Sequence, residues 1–127
     1  MKIFTSWNWY SVKLIKQLII EGEPDKRLVD EFYIDDDEQT FEEILMLVKA
    51  RSYEHAYKIA ENKAKKDEEF FPNMYGQQAA WKLIKAVDCF LILDKLKSGI
   101  ELFSCYHTTK ENMTAEEFLN KYFKEIN

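Results

Sequence analysis

Between Trp7 and Ile20 the chain runs WNWYSVKLIKQLII, a stretch rich in aromatic and β-branched residues that keeps Tyr10, Val12, Leu14, Leu18 and Ile20 on one parity. Side chains alternate across a strand, so this pattern demands a long strand with one face buried. Gly22, Glu23 and Pro24 break it. The run EEILMLVKA is nearly continuous in apolar residues from Ile44 to Val48, which predicts a second strand in the centre of a sheet. Ser52 is then a helix N-cap, and Tyr53, Tyr57, Ala60 and Ala64 recur at helical spacing. The small alanines allow close approach to a sheet, with Lys58, Glu61, Lys65 and Lys66 left to solvent.

The helix must end before Pro72, and PNMYG reads as a loop turned by Asn73 and Gly76. A third apolar run, AWKLIKAVDCFLILD, is followed by KLKSG and IELFSCYHTT, the signature of a hairpin with a short glycine-bearing turn. Thr114, Ala115, Glu116 and Glu117 match a capping box. They open a terminal helix over 114–127 whose stripe of Phe118, Leu119, Tyr122, Phe123 and Ile126 is too aromatic to leave in water. The stretch PDKRLVDEFYI reads both ways: as a short helix from Pro24 bearing Leu28, Val29 and Phe32, or as an alternating strand. These elements predict one α+β domain over residues 1–127. Its core is an antiparallel sheet of about four strands in the order β-β-α-β-β, with the Ser52 helix across one face and the second helix at the C-terminus.

Charge is distributed unevenly along this frame. Residues 21–43 hold eleven acids against Lys26 and Arg27, a local charge of −9, while the rest of the chain holds 12 acids and 16 bases and sums to +4. An acidic connector of this kind attracts a cationic partner and repels nucleic acid, so nucleic-acid binding is not expected even though Trp7, Trp9, Tyr10 and Trp81 would suit a stacking platform. With 46% hydrophobic residues, three Gly and two Pro, the 127-residue chain has the makings of a packed globule. Neither a leader-like N-terminus nor an apolar run of membrane-spanning length is visible, and the expectation is a cytoplasmic protein away from membranes.

Each chemical motif has a plainer reading beside it. The run Asp35, Asp36, Asp37, Glu38, with Glu42 and Glu43, offers clustered carboxylates to a hard cation, but it lacks a calcium loop's glycine at position six and has Met46 at position twelve. A solvated loop or a docking surface fits better, and no metal or cofactor is expected. Cys89 and Cys105 read as reduced thiols that fall opposite each other if the last two strands form a hairpin centred on Lys97. Cys105 and His107 share one strand parity, so a thiol and imidazole would lie on one face, with Asp88 as a nearby carboxylate. More ordinary roles are an inert thiol, an edge histidine, and an Asp88 paired with Lys13, Lys49 or Lys85. His55 belongs to the first turn of the helix.

The residues Trp9-Tyr10-Ser11-Val12-Lys13-Leu14, the strand end Val48-Lys49-Ala50, and Ser52 opening a helix with Ala56 and Ala60 resemble a bacterial family of small proteins, the domain of unknown function DUF4288. Asn73 and Gly76 before Trp81-Lys82-Leu83, and Gly99-Ile100-Glu101-Leu102-Phe103-Ser104 as a closing strand, extend the resemblance to about residues 9–106. The acidic connector and the helix from Thr114 are departures from it. The resemblance implies the α+β fold and carries no catalytic residues.

Function is therefore expected to be non-catalytic protein binding, most concretely by a small cytoplasmic immunity or inhibitor protein that meets a basic toxin or enzyme through Asp35, Asp36, Asp37, Glu38, Glu42 and Glu43. Phe32, Tyr33 and Phe41 would serve as apolar anchors. The alternatives are a ligand-binding protein or enzyme with a cleft near Cys105, His107 and Asp88, and a homodimer formed by edge-strand pairing, for which Trp7 to Ile20 is long and apolar enough. Because eleven like charges repel one another, changing Asp35, Asp36 and Asp37 to Asn and Glu38 to Gln should leave stability unchanged or raise it by a few tenths of a kcal/mol in urea unfolding. Loss of the folded state would mean that those carboxylates hold the fold.

Overall fold

The computed structural model describes residues 6–33, 39–93, 95–110 and 112–123. Its elements are β1 (Asn8–Glu21), β2 (Phe41–Ala50), α1 (Tyr53–Lys66), β3 (Phe71–Pro72), β4 (Gln78–Ile92) and α2 (Ala115–Tyr122). The strands form one antiparallel sheet in the order β2-β1-β4-β3, with α1 against one face. The fold is α+β with four strands in the order β-β-α-β-β, as the periodicities predict. Among the described residues no helix is long and apolar enough to cross a membrane.

The parity of β1 explains its central place. Tyr10, Val12 and Leu14 turn to one face and are 4%, 0% and 0% exposed. They meet Ala56, Ala60 and Ala64 of α1, all fully buried, with Val48, Ala50 and Ala86 completing the cluster. Three alanines at helical spacing give α1 a flat side, so its backbone can sit close on the sheet. The helix starts where Ser52 Oγ accepts the His55 N–H at 3.0 Å. Its last turn carries a Lys63–Asp67 ion pair at 3.3 Å.

Two expectations about strand placement are corrected. β2 is an edge strand, although its unbroken apolar run predicts a central one. Ile44, Met46 and Val48 pack toward the helix side, while Leu45 and Leu47 on the other face are 48% and 44% exposed. The run is apolar on both faces, and only one face is covered. The second correction concerns Ile100–Thr109, which forms no strand; the fourth strand is Phe71–Pro72, paired to Ala79 and Gln78.

The turn before Ile100 does form, with Gly99 at φ +91° and the Ile100 N–H on Lys97 O at 3.3 Å. The segment beyond it places Phe103 beside Phe90 at 6.3 Å and under the Lys13 ammonium at 4.3 Å. The reason no ladder forms lies on β4. Its N–H groups at Leu83, Ala86 and Cys89 donate to Glu68 Oε2 (2.8 Å), Glu61 Oε2 (3.3 Å) and Asp88 Oδ1 (2.8 Å). A returning strand finds these donors already taken. Cys89 and Cys105 are consequently not cross-strand partners, and both are free.

β4 also carries two register shifts against β1, where Val87 and Ile84 are the extra residues and both are exposed. α2 begins with the expected capping box: the Glu117 N–H donates to Thr114 Oγ1 at 3.1 Å and the Thr114 N–H to Glu117 Oε1 at 3.3 Å. Its stripe does not reach the sheet. Phe118, Tyr122 and Phe123 gather around His107, and no residue of α2 is buried. Ile126 lies outside the described residues. Residues 24–33 form turns, neither helix nor strand, and Ile34 is not described.

Helix and sheet surfaces packed this closely leave no room for added methylenes. Ala60→Leu should destabilise by about 1–3 kcal/mol through overpacking, and Leu14→Ala by about 2–5 kcal/mol through the cavity it leaves. Urea midpoints at unchanged m-value measure both; wild-type midpoints would contradict the packing described.

Candidate functional site

The described parts of the acidic segment, 21–33 and 39–43, adjoin the end of the sheet where β1 stops and β2 starts. The segment's first part, 22–33, is fastened to the 73–77 loop. The Asp25 N–H donates to Tyr75 O at 2.8 Å, Gln77 Nε2 to Gly22 O at 2.9 Å, and the Tyr75 hydroxyl to Asp30 Oδ1 at 3.0 Å. Asn73 Oδ1 accepts the N–H groups of Tyr75 and Gln77 at 3.0 and 2.9 Å, which shapes the receiving loop. Gly76, at φ +78°, holds a backbone conformation that residues with a side chain rarely adopt, and it lies in contact range of Asp25.

Two acids are thus committed locally. Arg27 clamps Asp25 with Nε and Nη2 at 3.2 and 2.9 Å, and its hydrogen bonds hold the carboxyl below the usual carboxylate range. Asp30 fixes Tyr75, whose phenol is pushed up by desolvation first and by the Asp30 contact second. Tyr33 packs edge-on against Tyr75 at 4.9 Å and is half-buried. Phe32 is 73% exposed and Phe41 56% exposed. Glu43 lies on the sheet face away from α1 and pairs with Lys13 at 3.1 Å, while Glu42 is half-buried on the opposite parity. Asp35, Asp36, Asp37 and Glu38 lie outside the described residues.

The opposite end of the sheet is cationic and aromatic. The Arg51 guanidinium lies 4.7 Å from the Trp7 ring centre and the Lys49 ammonium 5.7 Å from that of Trp9. Trp7 also packs on His55 at 5.5 Å. Tyr10 points to the other face, buried against Tyr53 at 5.2 Å, and Trp81 sits far along the sheet opposite Leu18. The four rings do not form one platform. Sequence periodicity identifies the rings but not the cations above them, because those contacts depend on the register of β2 against β1, which sets Lys49 opposite Trp9.

Cys105 Sγ does lie near His107 Nε2, at 3.5 Å. The nearby cleft of about 250 Å³ is lined by Thr108, Thr109, Lys110, Met113, Lys121 and Tyr122, so neither of that pair nor Asp88 lines it. Asp88 stands opposite Lys13 in register and accepts the Cys89 N–H, but the Lys13 ammonium pairs with Glu43. Among the described residues no group of three or more His, Cys, Asp and Glu is placed to hold a metal ion.

With this geometry in view, the family model for the domain of unknown function DUF4288 matches residues 9–104. The chain belongs to the DUF4288 family. The matched region runs from β1 through β4 and on to the Phe103 segment, leaving α2 beyond it. No curated protein and no solved structure matches the chain.

The two thiols of this DUF4288 protein differ in a way chemistry can read. Burial, then the Asp88 charge, pushes the Cys89 thiol up from an ordinary value near 9 to about 11, whereas Cys105 is exposed. At pH about 8, a thiol raised to about 11 keeps only roughly 1% of the thiolate that an ordinary cysteine would show. A disulfide reagent should therefore label one thiol rapidly in the native protein and the second only on unfolding. Equal rates for both would contradict the placement of Cys89.

Proposed function

We propose that this protein is a non-catalytic protein-binding module of the cytoplasm, an immunity or inhibitor protein whose partner is a basic protein such as a cationic toxin. The reading rests chiefly on the acidic segment, where Phe32, beside Asp30 and Glu31 in the chain, and Phe41, beside Glu42 and Glu43, are both exposed. Exposed apolar rings beside acids in the chain supply both parts of a binding surface: anchors to bury for affinity and a field for approach. The ties from residues 22–33 to the 73–77 loop support it further, since a fastened surface loses less entropy on binding.

Affinity capture from the native host, at low and at high ionic strength, tests this reading. The wild-type chain should retain a basic protein. Changing Asp35, Asp36 and Asp37 to Asn and Glu38 to Gln should slow association with it by about tenfold at low salt and much less at high salt, where screening already removes the steering. Phe32→Ala should weaken the complex by about tenfold in either salt. Recovery of no basic partner, or a partner bound with unaltered salt dependence after neutralisation, would overturn the proposal.

A further inference from the structure

The two long edges of the sheet are treated differently. On β4, the N–H groups at Leu83, Ala86 and Cys89 are each taken by a carboxylate. On β2, the pairing with β1 shows which groups face outward. Leu18 donates to Thr40 O at 2.9 Å, one step beyond the Gln17 to Phe41 pair, so the even-numbered residues of β2 exchange ladder bonds with β1. Phe41, Glu43, Leu45, Leu47 and Lys49 then turn their backbone groups away from the sheet. Among the described residues no side chain caps that row.

A bare edge of this length templates another strand, and its own charge pattern names the strand it fits. The outward residues read Phe41, Glu43, Leu45, Leu47, Lys49, with acid near one end and base at the other. Antiparallel pairing with an identical strand about a two-fold axis at Met46 sets Glu43 opposite Lys49 and Leu45 opposite Leu47 of the second copy, and the open row ends before Arg51, whose N–H is held by His55 Nδ1 at 3.1 Å. Each charged pair occurs twice. The same register matches odd residues with odd residues, which is the parity the outward backbone groups require. On the helix side it sets Ile44 opposite Val48 and Met46 against its own equivalent. Glu43 pairs with Lys13 in its own chain, yet its side chain is 66% exposed and has room for a second cation.

We propose that β2 is a homodimer interface, through which two copies of this chain join their sheets edge to edge in the register Glu43 to Lys49. This goes beyond the acidic-end reading, because it needs no other partner and is measured on the purified chain alone. It also moves self-association from β1, which lies inside the sheet, to β2.

Sedimentation velocity across about 1–200 µM, the range in which a micromolar dimer dissociates, tests the proposal with Glu43→Lys and Lys49→Glu variants. Wild type should pass from monomer to dimer. Each variant alone turns both cross-strand pairs from attractive to repulsive and should self-associate about tenfold more weakly. An equimolar mixture of the two variants restores both pairs across the interface and should dimerise like wild type. Both substitutions are at exposed positions, and circular dichroism melts check that each protomer is folded. A wild-type chain that stays monomeric throughout would overturn the proposal, as would a dimer indifferent to both substitutions or variants that fail to complement on mixing.

Discussion

The close seating of α1 on the even face of β1 is the interaction on which the rest depends. Ala56, Ala60 and Ala64 are fully buried against the face bearing Tyr10, Val12 and Leu14. Bulkier residues at those positions would lift the helix away. Held this close, α1 puts Glu61 within reach of the Ala86 N–H, and the turn that follows it puts Glu68 on Leu83. A packing choice in the core thereby determines hydrogen bonding at one edge of the sheet.

That edge capping has a consequence for topology. A strand following β4 would have to bond to N–H groups already satisfied by carboxylates, so the chain after Gly99 crosses toward Lys13 and Phe90 instead of adding to the sheet. β2 has no such caps among the described residues. Among the described residues one edge of the sheet carries carboxylate caps and the other does not, and the proposed association through β2 rests on that asymmetry.

Much of this was legible in the sequence. The period-two pattern of β1, the Ser52 cap with its alanine repeat, the Thr114 capping box and the turn at Gly99 each depend on local chemistry, and each stands where the residues place it. The misplaced features depend on partners remote in sequence. Nothing in ILMLV tells whether its second face is covered, and nothing in IELFSCYHTT reveals that Glu61 occupies the Ala86 N–H it would meet. The acidic end was legible as charge; that Asp25 and Asp30 bind Arg27 and Tyr75, while Phe32 stands clear, follows only from the loop at Asn73. The pairing of Lys49 and Arg51 with tryptophans was likewise hidden until the register of β2 on β1 was seen.

The asymmetry of the edges is open to direct measurement by residue-resolved amide hydrogen exchange on the wild-type chain. In dilute solution the amides of Leu83, Ala86 and Cys89 should exchange slowly, while those of Glu43, Leu45 and Leu47 exchange as surface amides; raising the protein concentration should protect only the second group. Equal exchange at the two edges in dilute solution would contradict the account.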